Sequence, residues 1–220
     1  MAKRPVFVPR AEGFPLVDEI EIEFQWFAGL SMSQAQKSIA SLHAAAEEMG
    51  ISNILEISSR SPDPLGVSLS AFNLTLDTHD VSIDRPISVE CAFQGSKVFE
   101  HGGPYTDLYL VSSREAKTDD RLRNSGKVVR FQFGSQEFPT VPFTAFYDWL
   151  YLTALWQNLA LSDRLTTYDG FSDIAFNPER SINCQARSAA LFVSLSRKVL
   201  LERVLSDREF YINRINEQVE

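Results

Sequence analysis

The chain has 220 residues, of which 44% are hydrophobic and 23% charged, and its formal net charge is −8. This composition supports a sizeable core and argues against a disordered chain. The negative net charge disfavours non-specific binding to phosphate backbones, although a local basic patch could still contact a nucleic-acid substrate. No apolar run approaches the roughly 20 residues of a membrane span. The two cysteines form no C-x-x-C motif, so the sequence predicts a reduced, cytoplasmic protein.

The predicted elements are mostly helices, with a few short strands between them. Residues 1–30 predict a strand-and-loop arm, because prolines interrupt two extended pieces, Pro5–Val8 and Ile20–Phe27. An amphipathic helix follows at Ser33–Met49, with Gly50 in the position that commonly ends a helix. Periodicity and capping residues predict the other elements: a buried strand at Ile54–Ser58, a loop at Arg60–Leu76, helices at Ser113–Asn124 and Thr144–Leu161, a strand at Lys127–Phe133, and a last helix from Ser181 or Asn183 to about Leu205. The fold class is therefore mainly α, an α+β fold with a few short strands.

The stretch Ser88–His101, SVECAFQGSKVFEH, predicts a helix that Ser88 caps and a Gly-Gly-Pro sequence ends. At roughly 100° per residue, Glu90, Gln94 and Lys97 form a narrow polar stripe with apolar residues on both sides. Such a stripe suits the polar wall of a pocket, but a partly solvated helix face gives the same pattern. The loop at 60–76 leaves a similar choice, because it could carry ligand contacts or serve as a plain connection.

Several common catalytic motifs are absent from the sequence. It has no G-x-S-x-G elbow, no phosphate-binding P-loop and no G-x-G-x-x-G fingerprint. His43, His79 and His101 lack metal-ligand spacing, so no metal site is expected. Carboxylates, a lysine, amides and aromatics remain, and this set suits chemistry at an anomeric carbon. The densest positive charge lies in the Ser113–Asn124 helix, which is either a solvated surface or a phosphate clamp.

Five stretches, in order, resemble motifs of the NADAR, or YbiA-like, superfamily. SVECAFQGSKVF is similar to its S-E-H-x-F-Q-A-x-K-F motif, and LSAFNL to its [FL]-S-N-F-x motif. The other three are AKTDDRLRNSG, ALWQNLALSDRL and GFSDIAFNPERSINCQARSAAL. Together they cover about residues 58 to 200. Their divergent spellings and the preceding N-terminal segment resemble the antitoxin branch of the superfamily, which is associated with DarT-type DNA ADP-ribosyltransferase toxins.

This resemblance implies a single YbiA-like helical domain over residues 1–220, with an extension at 1–57 and a motif-bearing core at 58–200. It also implies hydrolysis of the N-glycosidic bond between ADP-ribose and a guanine base in DNA, and a cognate DarT-type toxin. RNA or a free nucleotide could carry the same modified base. The alternatives are an N-glycosidase acting on riboflavin-pathway intermediates and a non-catalytic ADP-ribose-binding protein. No cofactor is expected, and ADP-ribose is the expected ligand and product.

Matching motif positions transfers functional residues to this sequence. The resemblance places Glu90, Lys97 and Asp173 in catalysis. The candidate substrate-binding residues are Ser70, Phe72, Asn73, Gln94, Arg121, Trp149, Phe176, Asn183 and Arg187. Phe176 stands where the family has a tryptophan, and Phe171 and Ser172 do not preserve the acidic partner that the family motif places before Asp173.

These assignments give a hypothesis for the mechanism. ADP-ribose would lie across the Ser88 helix, the Leu69–Leu74 loop and the Asp173–Asn183 loop. Glu90 would hold ribose hydroxyls or act as a general base, and Asp173 would stabilise positive charge at the anomeric carbon or position water. Lys97 would trap the aldehyde form of the released sugar as a Schiff base, or pair with a phosphate or carboxylate.

Overall fold

The computed structural model describes residues 1–77, 81, 83–179 and 181–216, so His79 lies outside the described residues. The chain forms two compact units. Unit 1 combines Met1–Ser70 with Leu159–Glu220, and unit 2 comprises Ala71–Asn158. The fold is a mainly helical α+β fold with small sheets, which confirms the predicted fold class. No helix in the described part of the chain is long and apolar enough to span a membrane.

The secondary structure elements follow one another along the chain as short, mixed segments. The strands are β1 Ala2–Pro9, β2 Val17–Phe24, β3 Ile54–Glu56, β4 Thr75–Leu76, β5 Ile87–Ser88, β6 Lys97–Phe99, β7 Val128–Phe133, β8 Gln136–Phe138 and β9 Gly170–Ser172. The α-helices are α1 Met32–Glu48, α2 Pro64–Ser68, α3 Val89–Gly95, α4 Ser113–Thr118, α5 Arg121–Asn124, α6 Ala145–Gln157, α7 Leu159–Leu165, α8 Gln185–Arg197, α9 Leu201–Ser206 and α10 Arg208–Asn216, with a 3₁₀ helix at Thr106–Leu110.

Unit 1 is built on a four-stranded sheet with the order β2-β1-β9-β3. β9 is an inner strand, antiparallel to β1 and parallel to β3. The predicted N-terminal arm is thus an antiparallel hairpin that belongs to the sheet. Helix α1 lies one residue from its predicted position, with the Ser31 side chain accepting a hydrogen bond from Gln34 N. Its Ile39 and Leu42 pack against the sheet residues Val6 and Ile22 in one buried cluster.

Unit 2 has an aromatic core beside a three-stranded antiparallel sheet of the order β6-β7-β8. The predicted strand at 127–133 is confirmed as β7, whose Phe131 and Phe133 are buried. Phe131 stacks on Phe146 of α6 with ring centroids 4.9 Å apart, and on Phe93 of α3 at 5.6 Å. Stacked aromatic contacts of this kind add to the stabilisation from burial alone. They fix α3 on the sheet that also carries Lys97.

The predicted helix at Ser88–His101 is correct at its start and wrong at its end. The Ser88 side chain caps α3 by accepting a hydrogen bond from Cys91 N at 3.1 Å. The helix stops at Gly95, and Lys97 pairs with Phe131 as the first residue of β6. The turn between them is held by Ser96, whose hydroxyl donates to Ala92 O at 2.7 Å. Strand pairing with β7 therefore overrides the helical periodicity of this segment.

Two other predicted helices are each divided into shorter ones. The Ser113–Asn124 helix is interrupted at Asp119, which has extended ψ and accepts a hydrogen bond from Arg121 N at 2.9 Å. The Thr144–Leu161 helix is interrupted at Asn158, whose side chain donates to the carbonyl groups of Thr75 and Ala154. In both places a side chain hydrogen-bonds to backbone that a continuous helix would use.

The loop and the last helix also differ from their predictions. The predicted loop at 60–76 contains the short helix α2, which Asp63 caps by accepting from Leu65 N at 2.8 Å, and the strand β4. Helix α8 begins after Cys184, so Ser181 and Asn183 do not cap it. It ends at Arg197, because Val199 has a positive φ of 58° and breaks the predicted continuation to Leu205.

Candidate functional site

In unit 2, Glu90, Gln94, Lys97 and Lys117 form a group that we call the lysine cluster. Glu90 lies in the first turn of α3, where the positive end of the helix dipole favours a carboxylate. Its side chain is buried, with the residue only 5% exposed. Its backbone N–H donates to Ala71 O at 2.9 Å, so the chain preceding Phe72 also holds this turn in place.

Gln94 connects the carboxylate of Glu90 to the half-buried amine of Lys97. The Gln94 Nε2 donates to Glu90 Oε1 at 2.9 Å, and Lys97 Nζ donates to Gln94 Oε1 at 2.6 Å. The sequence therefore predicts the association of these three side chains correctly, although Lys97 lies on a strand. The ion-pair partner of Glu90 is Lys117, at 3.9 Å from Oε1, and the Lys117 side chain is 58% exposed. The amide thus separates Lys97 from direct contact with the carboxylate.

This environment favours the uncharged form of Lys97. The pKa of Lys97 is lowered to about 8, chiefly by burial; the charge of Glu90 opposes this change, and the positive charge of Lys117 adds to it. The Lys97 Nζ also lies 4.5 Å from the centroid of the Phe93 ring. At neutral pH roughly a tenth of the Lys97 side chains are therefore free amines, which is far more than for an exposed lysine. An amine of this kind can act as a nucleophile.

Unit 2 also contains an open cavity of about 480 Å³, a volume suited to a small ligand. Phe72 and Asn73 line it, as the predicted role of the Leu69–Leu74 loop requires, and Ser113 Oγ fixes the Phe72 carbonyl by donating at 2.9 Å. The Lys117 Nζ lies 5.1 Å from the centroid of the Phe72 ring. Glu90, Gln94 and Lys97 do not line this cavity. The contact between Lys117 and the Phe72 ring connects the cavity wall to the lysine cluster.

In unit 1, Glu56, Ser172, His43 and Asp173 form a second group, the carboxylate cluster. Glu56 is 1% exposed and lies at the end of β3, directly opposite Ser172 of β9. Ser172 Oγ donates to Glu56 Oε2 at 2.5 Å, and His43 Nε2 lies 2.8 Å from the same hydroxyl. Glu56 Oε1 accepts two further hydrogen bonds, from Ser58 Oγ at 2.8 Å and from Ile174 N at 2.9 Å.

Asp173 follows β9 and has its own hydrogen-bond partners. Its Oδ1 accepts from Ala175 N and its Oδ2 from Gln185 Nε2, both at 3.0 Å. Gln185 is the first residue of α8 and also donates to Ile57 O at 2.6 Å. The amide therefore ties Asp173 to the residue that follows Glu56 in the chain.

Burial favours the neutral form of most titratable groups in the carboxylate cluster. It raises the pKa of Glu56, against the hydrogen bonds that stabilise its charge. The pKa of Asp173 is raised to about 7, first by burial and then by the charge of Glu56. Burial also lowers the pKa of His43 to about 4, so this imidazole is neutral at physiological pH. A carboxyl group with a pKa near 7 can donate or accept a proton in catalysis.

Both clusters lie within the sequence that a protein-family comparison identifies. A sequence model of the DarT1-associated NADAR antitoxins matches residues 2–220. The chain belongs to this family. A search of the curated proteins found no match. The predicted NADAR resemblance is thus confirmed, and the match includes the segment 1–57 that the motif spacing treats as an extension. Membership in this family gives the chain the role of an antitoxin that is associated with a DarT1 toxin.

Three other candidate residues of this NADAR antitoxin lie outside both clusters and contact their own neighbours. Ser70 is buried, and its hydroxyl donates to Val67 O at 2.8 Å. Phe176 is buried against Phe7, with ring centroids 6.2 Å apart. Trp149 belongs to the aromatic core of unit 2 and packs on Phe138 at 5.2 Å. These three side chains are used for packing or local hydrogen bonding, so any contact with a substrate would be secondary to that role.

Asn183 and Arg187 flank the start of α8. The Asn183 Oδ1 is buried and accepts no hydrogen bond from any described residue. Buried acceptors without a donor are rare in folded proteins, so this oxygen is suited to a donor from a ligand. Arg187 lies in the first turn of α8 and is half-buried.

Arg121 is engaged by acidic neighbours. Its guanidinium pairs with Asp107 at 2.6 Å and with Asp119 at 2.9 Å, and it lies 4.5 Å from the centroid of the Tyr105 ring. Hydrogen bonds to the two carboxylates raise its pKa above the ordinary arginine value. A diphosphate would have to displace both carboxylates, so for Arg121 the structure favours a solvated surface over a phosphate clamp.

Sequence reasoning missed Glu56, Ser172, His43 and Lys117. A signal for Glu56 was present: it interrupts the apolar stretch ILEIS, where a buried strand predicts a hydrophobic residue. No comparable signal marked His43, because its partner Ser172 is 129 residues away. Lys117 belongs to the basic segment that the sequence shows, but its ion pair with Glu90 depends on how α4 packs against α3.

Proposed function

We propose that this antitoxin is a hydrolase that removes ADP-ribose from guanine bases in DNA by cleaving the N-glycosidic bond. The observation that carries the proposal is the half-buried amine of Lys97, which Gln94 holds at 2.6 Å beside Glu90. Membership in the DarT1-associated family supports the same proposal, because an antitoxin can oppose a DNA ADP-ribosyltransferase by reversing the modification. Chemistry at an anomeric carbon is what a set of carboxylates, an amine and amides suits best.

In the first step the glycosidic bond breaks and its electron pair goes to the guanine nitrogen. Asp173, with a pKa near 7, supplies the proton that this nitrogen needs. Water adds to the anomeric carbon, and the proton that it loses restores Asp173. This assignment replaces the hypothesis of a charged Asp173 opposite the sugar, because a protonated carboxyl group donates a hydrogen bond and stabilises positive charge poorly.

Lys97 acts on the sugar. The released ribose opens to an aldehyde, and the free amine of Lys97 attacks its carbon; loss of water then gives a Schiff base. Hydrolysis of this imine returns the amine and the sugar. Glu90 holds the ribose hydroxyls, and Gln94 orients Lys97 without neutralising it, since the Gln94 carbonyl oxygen accepts its hydrogen bond.

The test is incubation with guanine-ADP-ribosylated DNA, followed by chromatographic detection of free ADP-ribose. Glu90→Gln and Asp173→Ala should each reduce release by about tenfold to a hundredfold or more. Full activity in both variants would contradict the proposal. Tight binding of ADP-ribose by the unmodified protein without turnover would instead indicate a non-catalytic binder. Turnover of riboflavin-pathway intermediates alone would indicate a metabolite enzyme.

The role of Lys97 has a separate test. Borohydride added during turnover reduces the imine and should attach ADP-ribose covalently to the protein. Lys97→Ala should abolish this adduct, whereas Lys127→Ala, which alters an exposed lysine of the same unit, should not. An active enzyme that gives no adduct would remove Lys97 from the covalent role while leaving the hydrolase proposal in place.

A further inference from the structure

We propose that Glu56 is a positioning residue for Asp173: its buried carboxylate stays ionised and keeps the acidic proton on Asp173. Glu56 lies in the segment 1–57, which the motif spacing treats as an extension. It supplies, from a neighbouring strand, an acidic partner that Phe171 and Ser172 do not provide in the sequence. The inference rests on the proposed function, because it explains how Asp173 comes to be an acid.

The hydrogen bonds indicate which of the two carboxyl groups carries the charge. Glu56 accepts from three donors: Ser58 Oγ, Ile174 N and Ser172 Oγ. The carboxyl group of Asp173 accepts from Ala175 N and Gln185 Nε2, both at 3.0 Å, and Phe176 N also lowers its pKa. Shorter hydrogen bonds stabilise an anion more strongly, and those to Glu56 are 2.5 to 2.9 Å long, so the anion of the pair is Glu56. Two adjacent buried carboxyl groups cannot both ionise easily, and the remaining proton stays on Asp173.

The neighbours of Glu56 provide hydrogen bonds without positive charge. The hydroxyl of Ser172 donates to Glu56, so its oxygen must accept from His43, which fixes the Nε2–H tautomer of the imidazole. Directly before α8, Cys184 contributes a thiol whose pKa burial raises, and it is therefore also neutral. From β1, the residue opposite Ser172 is Val6. No basic side chain in the described residues forms an ion pair with Glu56 or Asp173.

This arrangement has a chemical consequence. A cation beside Glu56 would cancel its charge and leave burial alone to raise the pKa of Asp173. Because His43 donates a hydrogen bond while remaining neutral, the charge of Glu56 acts fully on Asp173. Ser172 therefore holds in place, through its hydroxyl, the acidic residue that β3 supplies.

Carbon-13 NMR of protein labelled at the side-chain carboxyl groups of Asp and Glu tests the inference directly. Asp173→Asn and Glu56→Gln each delete one signal and so assign the pair. In the unmodified protein the Glu56 signal should titrate at a lower pH than the Asp173 signal. Glu56→Gln should lower the titration midpoint of Asp173 by one pH unit or more, and Glu56→Asp, which keeps the charge, should leave it closer to the original. An Asp173 midpoint that is unchanged in Glu56→Gln, or a Glu56 that titrates above Asp173, would overturn the inference.

The pH dependence of turnover separates this inference from the proposed function. In Glu56→Gln the loss of kcat on the alkaline side should begin at a lower pH while KM stays unchanged. The rate at pH 7 should fall about tenfold for each pH unit by which the Asp173 midpoint decreases. If Glu56 only stabilised the fold, the rate would fall equally at every pH. If Asp173→Asn were fully active while the NMR midpoints moved as expected, the acid role of Asp173 would be wrong and the pairing with Glu56 would stand.

Discussion

The lysine cluster of unit 2 and the carboxylate cluster of unit 1 respond to burial in chemically opposite ways. In unit 2 the half-buried group is a base, and the partial loss of water makes Lys97 easier to deprotonate. In unit 1 the buried group is an acid, and the loss of water makes Asp173 harder to deprotonate. Both residues thereby approach the neutral form near physiological pH, which is where nucleophilic and acid–base catalysis are most effective.

The two clusters differ in how they manage the neighbouring charge. Gln94 separates Lys97 from Glu90, and Lys117 pairs with that carboxylate from the solvent side. In the carboxylate cluster nothing comparable among the described residues separates Asp173 from the influence of Glu56, and the like charge adds to burial. A perturbed pKa can thus be produced by insulating a group from an opposite charge or by leaving it beside a like one.

The largest expected effect concerns the pH dependence of stability in unit 1. Asp173 has a folded pKa of about 7 against an ordinary 3.8. The folded state therefore binds the proton more tightly, and stability decreases as the pH rises from about 4 to about 7. Between pH 4 and pH 8 this loss of unfolding free energy is on the order of 4 kcal/mol, and Asp173→Asn should remove it. Urea unfolding at several pH values measures it.

A control with the opposite sign comes from the same cluster. His43 has a folded pKa of about 4 against an ordinary 6.5, so the unfolded state binds its proton first and stability decreases as the pH falls from about 6.5 to 4. His43→Gln should remove about 3 kcal/mol of this acid-side loss. Equal pH profiles for the two variants would contradict the assignment of opposite pKa changes.

The next effect compares two close-packed glycines. A Cβ on Gly66 of α2 would overlap the backbone oxygen of Glu56, which cannot move without disturbing β3. A Cβ on Gly95 would lie 2.6 Å from Tyr109 Cδ1, an atom of a side chain and not of the backbone. Gly66→Ala should therefore cost about 3 kcal/mol of unfolding free energy, and Gly95→Ala about 1 to 2 kcal/mol. Denaturant unfolding checks the order, and a larger cost at Gly95 would contradict it.

A smaller effect tests the insulating role of Gln94. Gln94→Glu places a carboxylate where an amide oxygen now lies 2.6 Å from Lys97 Nζ. It should raise the pKa of Lys97 and reduce borohydride trapping in neutral buffer about tenfold for each pH unit by which that pKa rises. Gln94→Met removes the hydrogen bonds without adding charge and serves as the matched control. If both variants reduced trapping equally, Gln94 would act through geometry alone.

The smallest effect is expected outside both clusters. Arg121→Ala should leave KM for the modified DNA unchanged, because its guanidinium is already paired with Asp107 and Asp119. Its ion pairs lie at the surface and should contribute less than about 1 kcal/mol to stability. A several-fold rise in KM would show that Arg121 binds the phosphates after all.

Local signals account for what the sequence predicts well. Ser88 caps α3, and α1 keeps its apolar stripe, because both depend on residues within one or two turns. Lys97 shows where such signals stop: its helical spacing from Glu90 is correct, but pairing with Phe131, which is distant in sequence, makes it a strand residue. The contact with Gln94 survives because a turn at Ser96 keeps the side chain close to the helix.

The carboxylate cluster could not be predicted from the sequence. Glu56 becomes a buried anion only because Ser172 and Ile174 reach it from far along the chain. Arg121 is similar, since its paired state depends on Asp107 in a separate segment. Family motifs identified Asp173 but assigned Glu56 to an extension, because a motif comparison aligns positions and does not report which strands pair.

The order of strands in unit 1 has a consequence for how the chain folds during synthesis. β1 and β3 are made early, but β9, which lies between them, follows only after all of unit 2 has been made. Ser172 and Glu56 are 116 residues apart. Unit 2 is continuous and can fold as it emerges, whereas the sheet of unit 1 must wait with open strand edges. Between the folding of unit 2 and the completion of the unit 1 sheet, this chain is most exposed to misassembly or proteolysis. During that interval Asp173 does not yet lie beside Glu56, the carboxylate that keeps its proton in place.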